Sequence, residues 1–380
     1  ESEVYAMSSL CTAIVFWAIL KWENEANDKH ADRWLIFIAY MMGLSIGVHL
    51  LNLLAIPALA FVYYFKKHEA TTKGVILTFI ISCVILVFIQ YGLIPGTISF
   101  AAKFDLFFVN SLGMNFGSGV IVFGILFVLL LVSLLLYSIS KSKTQLYIAA
   151  VSLGLMILLG SGIIAGLLYF IVAGVVIFYW KPNVNQYILN TSVLCIMFIM
   201  IGYASFAMIV IRAKANPNLN NNDPSNAYSF LSYLNREQYG DRPLGFGPYY
   251  SAEMTGQEKG DMIYRKGDHK YEEVGQKPIP VYDKSKTIPF PRIYSDDANH
   301  VQFYKSWLGI KGEPNYFDNL SFFVSYQVNY MYFRYFMWNF AGRQNDVQGA
   351  GSVHEGNWLS GIKLLDQARL GNQDQLPKSI

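Results

Sequence analysis

A lone histidine in a long apolar run is a residue able to do chemistry: His49, in GLSIGVHLLN, with Asn52 three residues further on. Polar groups are costly inside a membrane-length apolar segment and usually face a cavity or a partner there. An imidazole beside an amide can contact a phosphate or a sugar hydroxyl, or simply satisfy a neighbouring carbonyl. Two carboxylates, Glu1 and Glu3 in ESEVYAMSS, stand immediately ahead of a hydrophobic run. Such a pair can bind a divalent metal, shift one another's pKa, or favour a helix start through the dipole. Arg212 closes the last apolar run, where it suits either a phosphate contact or a snorkelling anchor. Arg236, Tyr239, Asp241 and Arg242 precede GFGPYY, which contains Tyr249, and Arg343, Asn345 and Asp346 follow the aromatic string MYFRYFMWNFAG. Aromatics beside Asn, Asp and Arg can stack on sugar rings and bind their hydroxyls, and the same side chains can cap and tether a chain segment.

Familiar soluble chemistries lack their signatures. There is no Ser-His-Asp order, Walker loop, GxGxxG fingerprint or HExxH helix. The net charge of +3 and the absence of a basic block or zinc-type spacing exclude nucleic acid as a partner. Cys11, Cys83 and Cys195 each lie in an apolar run and read as small hydrophobic residues.

The elements that must position these groups are set by hydropathy. The chain is 53% hydrophobic and 14% charged, which with several long apolar runs predicts a mainly α, polytopic membrane protein. Nineteen charged residues precede Ala213 and 36 follow it, so a transmembrane domain over 1–212 is expected ahead of a water-exposed region over 213–380. The uncharged run Trp34 to Phe65 would be ~48 Å long as one helix, well beyond a ~30 Å hydrocarbon core. It must break, and Gly43, Gly47 and His49 place the reversal between about Ile46 and Leu50. The run Leu146 to Trp180 is likewise too long and is expected to turn at Gly160 to Gly162. Pro95-Gly96 is expected to end the span from Gly74, leaving Thr97 to Ser118 as a loop with an interfacial helix.

With both long runs treated as hairpins there are about eight segments. Lys21, Lys29, Arg33, Lys66, Lys67, Lys73, Lys141, Lys143 and Lys181 then fall on one side, and the short loops opposite hold only Lys103. The positive-inside rule makes the first side cytoplasmic and puts Glu1, His49 and everything after Arg212 on the outer side. In the outer region Asp223 and Pro224 open a helix expected near 224–239, and Gly240 stops it. Lys270 to Ser295 suggests a small antiparallel sheet or an ordered loop. A second helix near 319–340, rich in Tyr and Phe beside Arg334, suits the membrane surface. The tail after GRQND is polar, contains Gly and Pro, and ends without a helix stop.

The strings EVYAMSSL, RWLIFIAYMMGLSIGVHLLNLLAIPA, GYASFAMIVIRAKANP, NAYSFLSYLNREQYGDRPLGFGPYY and MYFRYFMWNFAGRQND resemble a multi-pass family abundant in Bacteroidota, classed as domain of unknown function 2723 or glycosyltransferase family 117. That family is similar to protein O-mannosyltransferases of the GT-C class. The resemblance implies a GT-C-like helix bundle that takes a sugar, such as mannose, from a polyprenyl-phosphate donor at the outer face of the inner membrane. The acceptor it implies is a Ser or Thr of an exported protein, and membrane lipid is the surrounding partner. It also implies that the main catalytic carboxylate lies in a loop ahead of Glu1 and that more membrane sequence follows Ile380, so that this stretch is expected to be inactive alone. Glu1 and Glu3 would then lie near the catalytic cavity. His49 would contact the donor phosphate, with Asn52 beside it as a substrate-binding residue and Arg212 and Arg242 next in line for the phosphate or the sugar. Metal dependence stays open. A transporter or lipid flippase, or a non-catalytic envelope assembly protein, is the alternative reading.

Overall fold

The computed structural model describes residues 4–180, 184–240, 243–250, 252–295, 297–347 and 352–373. It is mainly helical, and seven of its described helical stretches are long and apolar enough to cross a membrane. The chain divides into two compact units, Glu1–Gly240 with Ile263–Gly275, and Asp241–Met262 with Gln276–Ile380.

The first unit opens with α1 (Val4–Glu25) and α2 (Asp32–Ile46). The break in the first long run falls at Gly47 to His49. His49 is extended (φ −161°) and its amide donates to the Ser45 carbonyl at 2.7 Å, while the Ser45 hydroxyl donates to the His49 carbonyl at 3.2 Å. A 3-10 turn, Leu50–Leu54, leads into α3 (Ala55–Lys67). That helix returns along the bundle: Val62 and Tyr63 pack with Trp22, Ala26, Ala31 and Trp34, and the Lys67 ammonium donates to the Ala26 carbonyl. α2 is only 15 residues long, too short for the length of a full span on its own.

Helices α4 (Thr72–Val87) and α5 (Ile94–Asn110) are joined by a π-helical stretch, Phe88–Leu93. This corrects the expectation that Pro95-Gly96 ends the span and leaves Thr97 to Ser118 as a loop with an interfacial helix. The amide of Ile94 reaches back five residues to the Ile89 carbonyl, and Pro95 occupies the first turn of α5, where a missing N–H costs nothing. The helix therefore continues to Asn110 and carries Lys103 and Asp105 with it.

The bundle is completed by α6 (Ser118–Ser140), α7 (Lys143–Ser161), α8 (Ile163–Gly174), α9 (Gln186–Tyr203) and α10 (Ala207–Lys214). The second long run does turn at its glycines: Gly162 has φ +97°, open to glycine alone at no steric cost, and α8 runs on through a π-helical stretch, Val175–Trp180. Lysine-bearing ends gather on one side. Asp32 at the start of α2 accepts from the Tyr187 hydroxyl at 2.8 Å and from Thr191 Oγ1 at 3.0 Å on α9, and Asn190 donates to Ser138 at the end of α6 at 2.8 Å. The tightest helix contact is between α2 and α9. A Cβ on Gly43 would come within 2.2 Å of the Ile199 carbonyl oxygen, and one on Gly202 within 2.5 Å of the Leu44 amide, so each glycine makes room for the other helix's backbone. The short α11 (Ala227–Leu234) closes the unit's main segment; its cap is Asn226, in a capping box with Ser229, rather than Asp223.

The second unit holds β1 (Phe246–Pro248), which pairs antiparallel with β4 (Thr287–Pro289) in register Gly247 to Ile288. Between them β2 (Met254–Lys266) and β3 (Tyr271–Tyr282) form a two-stranded ribbon whose tip, 263–275, belongs to the first unit. Then come α12 (Ala298–Leu308), α13 (Tyr316–Phe322), α14 (Arg334–Phe340) and α15 (Lys363–Leu370), with α13 and α14 joined through an 11-residue π-helical stretch, Phe323–Phe333. Tyr250, Ile293, Tyr304 and Phe322 form its core. Asn319, fully buried, accepts from the Arg292 and Ile293 amides at 2.7 and 3.1 Å and donates to the Phe290 carbonyl at 3.0 Å. The tail contains a helix because Asp366 accepts from the Ser360 and Gly361 amides and holds α15 back against the chain.

The α2–α9 contact leaves no room for a side chain. Gly43→Val is expected to cost about 1–3 kcal/mol through overpacking, read as a lowered melting temperature in detergent. Gly124→Ala, where nothing lies within 4 Å of the added Cβ, is expected to leave it unchanged.

Candidate functional site

At the end of the first unit opposite its lysine-bearing loops lies a cavity of about 770 Å³. That volume falls in the range of small-molecule sites. Thr97, Ala101 and Asp105, four apart on one face of α5, form one wall. Gly117, Val120, Ile121 and Gly124 of α6 form the next, and Tyr203, Phe206, Ala207, Ile211 and Lys214, from the end of α9 through α10, face them. Phe230 of α11 and Lys266 and Tyr271 of the ribbon tip complete the lining.

The lining divides into an apolar flank and a polar end. Val120, Ile121 and Ile211 line the cavity and are also outwardly exposed, Ile121 at 65% and Ile211 at 61%, so this flank is continuous with the bundle's apolar exterior. The polar end carries Lys214, in the basic last turn of α10, and Lys266. Among the described residues neither ammonium lies within ion-pair distance of a carboxylate. The Lys266 ammonium sits 4.9 Å over the Phe116 ring.

Asp105 is 1% exposed and is the polar centre of this wall. One oxygen accepts from the Gly117 and Gly119 amides at 2.9 and 3.0 Å; the other accepts from Gly117 at 3.0 Å and from the Tyr271 hydroxyl at 2.7 Å. Two glycines make this possible. Gly117 has φ +91°, and a Cβ on Gly119 would lie 2.3 Å from the Phe104 backbone. The carboxylate thus takes up amides at the positive end of the α6 dipole and needs no cation. Asn110 grips the backbone of Tyr271 at both polar atoms, donating to its carbonyl at 2.8 Å and accepting from its amide at 2.9 Å. Burial pushes the Tyr271 hydroxyl well above the usual tyrosine range, and the hydrogen bond to Asp105 and its charge push it further, so it stays a neutral donor. Tyr228 of α11 packs its ring against Tyr264 and Tyr271 at 5.0 and 5.2 Å.

The side chains singled out in the sequence lie elsewhere. Glu1, Glu3, Asp241 and Arg242 fall outside the described residues. His49 caps the 3-10 turn, its Nδ1 accepting from the Leu51 amide at 3.1 Å, which leaves the ring proton on Nε2. Its ring meets Tyr5 at 5.6 Å. Asn52 is 1% exposed, and neither end of its amide has a hydrogen-bond partner among the described residues. The adjacent Gly47 packs on Ser205 and Phe206; Phe206 lines the cavity and neither His49 nor Asn52 does. Arg212 is exposed beside the cavity without lining it, Arg236 precedes the turn Glu237–Tyr239 in a left-handed conformation (φ +53°), and Tyr239 is 74% exposed. In the second unit the Tyr249 hydroxyl donates to the Pro314 carbonyl and is pushed up to about 12, by burial and then by the Asp318 and Glu313 charges. Arg343 pairs with Asp346 at 3.3 Å and stacks on Trp338, and Asn345 accepts from the Val347 and Gly356 amides. These contacts tether the segment 352–358.

Sequence reasoning missed Asp105, Tyr271, Lys214 and Lys266. Asp105 carried a signal: it is the lone acid between Lys73 and Lys141 in an otherwise apolar stretch. Nothing local marks Tyr271, which is 166 residues away from its partner.

Fold and cavity define a polytopic helical membrane protein with an amphiphilic pocket at one end of its bundle. Residues 1–72, which include α1 to α3, match the family described as Protein O-mannosyl-transferase TMEM260 N-terminal domain. Residues 240–324 match a family of unknown function, DUF8416. No curated protein and no solved structure matches the chain.

Asp105→Ala would leave the Gly117 and Gly119 amides and the Tyr271 hydroxyl without an acceptor, at about 1–3 kcal/mol for each buried group left unpaired. A large drop in melting temperature is expected, with Asp105→Asn, which keeps one acceptor oxygen, falling between the two.

Proposed function

We propose that this protein is a membrane glycosyltransferase that moves a sugar from a polyprenyl-phosphate donor to a Ser or Thr hydroxyl of an exported protein. The observation that carries the reading is the cavity's pairing of a lipid-continuous apolar flank with two ammonium groups that meet no carboxylate among the described residues. An isoprenoid tail suits the flank of Val120, Ile121 and Ile211, and Lys214 and Lys266 suit the phosphate as point charges. The match of residues 1–72 supports the sugar-transfer chemistry, with mannose the first sugar to test. The positive-inside rule supports placing the lysine-bearing loops in the cytoplasm and the cavity at the periplasmic face of the inner membrane.

In the proposed reaction the acceptor hydroxyl attacks the anomeric carbon, the bond from that carbon to the phosphate oxygen breaks, and the lipid phosphate leaves with the electron pair. Lys214 and Lys266 stabilise the charge that grows on the phosphate. The hydroxyl proton passes to a carboxylate base, for which Glu1 and Glu3 are the candidates in this chain. Asp105 is unsuited to the role, since its oxygens already accept from two amides and a phenol. His49 acts as a helix cap in this scheme, and the phosphate lies with the lysines.

Purified protein given a radiolabelled sugar on polyprenyl phosphate and a Ser-containing peptide is expected to label the peptide. Replacing both Lys214 and Lys266 by Ala is expected to weaken donor binding by roughly 10- to 150-fold, the loss of charge-assisted hydrogen bonds. His49→Ala is expected to lower the melting temperature and leave donor affinity in place. Donor binding that survives loss of both lysines would sink the assignment of the cavity.

A further inference from the structure

Lys266 reaches the cavity from a structure that cannot hold itself there. It ends β2, in a two-stranded ribbon whose residues are mostly exposed on both faces, and such a ribbon is marginal alone. The neighbouring Arg265 and the turn residues Gly267 to Lys270 are exposed or half-buried. Tyr264 packs on Tyr228 at 5.0 Å, and the tip's main anchor is Tyr271, four residues after the turn begins and 2% exposed. Its hydroxyl sits on Asp105, its amide and carbonyl are held by Asn110, and its ring meets the edge of Phe116 at 5.0 Å. Phe116 is the ring on which the Lys266 ammonium rests. Tyr271, Phe116 and Lys266 therefore form one chain of contacts from the buried carboxylate to the polar end of the cavity.

We propose that Tyr271 is a positioning residue for anion binding: its seat on Asp105 docks the ribbon tip and so delivers Lys266 to the phosphate of a ligand held from the other side by Lys214. This rests on the reading of the cavity as a lipid-phosphate site. The site is completed only when the tip is docked, so a group far along the chain controls the affinity for the anionic part of the ligand and not for its apolar part.

The test compares binding of an isoprenoid monophosphate with that of the corresponding isoprenoid alcohol to the detergent-purified protein. Tyr271→Phe and Lys266→Ala are each expected to weaken monophosphate binding by roughly 5- to 10-fold, the loss of one charge-assisted contact, and to leave alcohol binding within about twofold. Because both act through one contact, the double variant is expected to bind no more weakly than Lys266→Ala alone. Should Tyr271→Phe fail to fold, Asn110→Ala at an exposed position releases the tip without touching the carboxylate and is expected to show the same split. The proposal is overturned if Tyr271→Phe binds monophosphate as wild type does, if it weakens both ligands equally, or if the two losses multiply. Unchanged monophosphate binding in Lys214→Ala and Lys266→Ala alike would instead remove the lipid-phosphate reading itself.

Discussion

A buried carboxylate that meets no cation among the described residues is the point on which the rest of this site depends. Removing Asp105 from water is expensive, and only a full set of donors makes it tolerable. The donors come from three places at once: the first turn of α6, the glycine turn before it, and a tyrosine far along the chain. Each is constrained by the need. Gly117 must take a left-handed conformation, Gly119 must let α6 close on the Phe104 backbone, and Tyr271 must be buried with its hydroxyl protonated. The α5–α6 wall of the cavity and the docking of the ribbon tip are two consequences of one desolvation problem.

A second constraint, the thickness of a bilayer, shapes the helices. Runs of 32 and 35 apolar residues cannot cross once, and the chain resolves both at glycines. Those breaks were legible in the sequence because three independent signals agreed on them: length, local glycine, and the sorting of lysines to one side. The helix from Thr72 departs from the expected break because a single local rule does not decide it. Pro95 forbids one amide donor, but a π-helical stretch shifts the hydrogen-bond register by a residue and lets the helix pass. Tertiary packing of α5 on α6 and α11 then rewards its continuation.

Among polar residues, those that stood out in the sequence did so because they interrupt apolar or aromatic strings, and the described ones mostly serve the chain itself. His49 caps a turn, and Arg343, Asn345 and Asp346 close a loop. Lys214 and Lys266 were invisible for the opposite reason: a lysine at a helix end or in a charged ribbon is ordinary until the fold sets it over an apolar pocket. The contact between Asp105 and Tyr271 has no sequence period or motif, since it is made by two parts of the chain that meet only in three dimensions. Residues 240–324 match a family without an assigned role, and the ribbon tip that carries Tyr271 and Lys266 lies within that stretch. The match over residues 1–72 lies on α1 to α3, which supply none of the cavity's lining residues, so the two matched stretches meet the proposed site differently.

The central claim, that the cavity between α5, α6 and α10 holds a lipid phosphate, is tested most directly by photo-labelling. A photoreactive isoprenoid monophosphate would be cross-linked to the protein in lipid nanodiscs and the labelled peptides mapped by mass spectrometry. Label on the segments holding Val120, Ile121 and Ile211, displaced by unlabelled monophosphate at a far lower concentration than by the alcohol, is the predicted result. Label confined to α1 to α3 or to α8, or label that the alcohol displaces equally well, would contradict it.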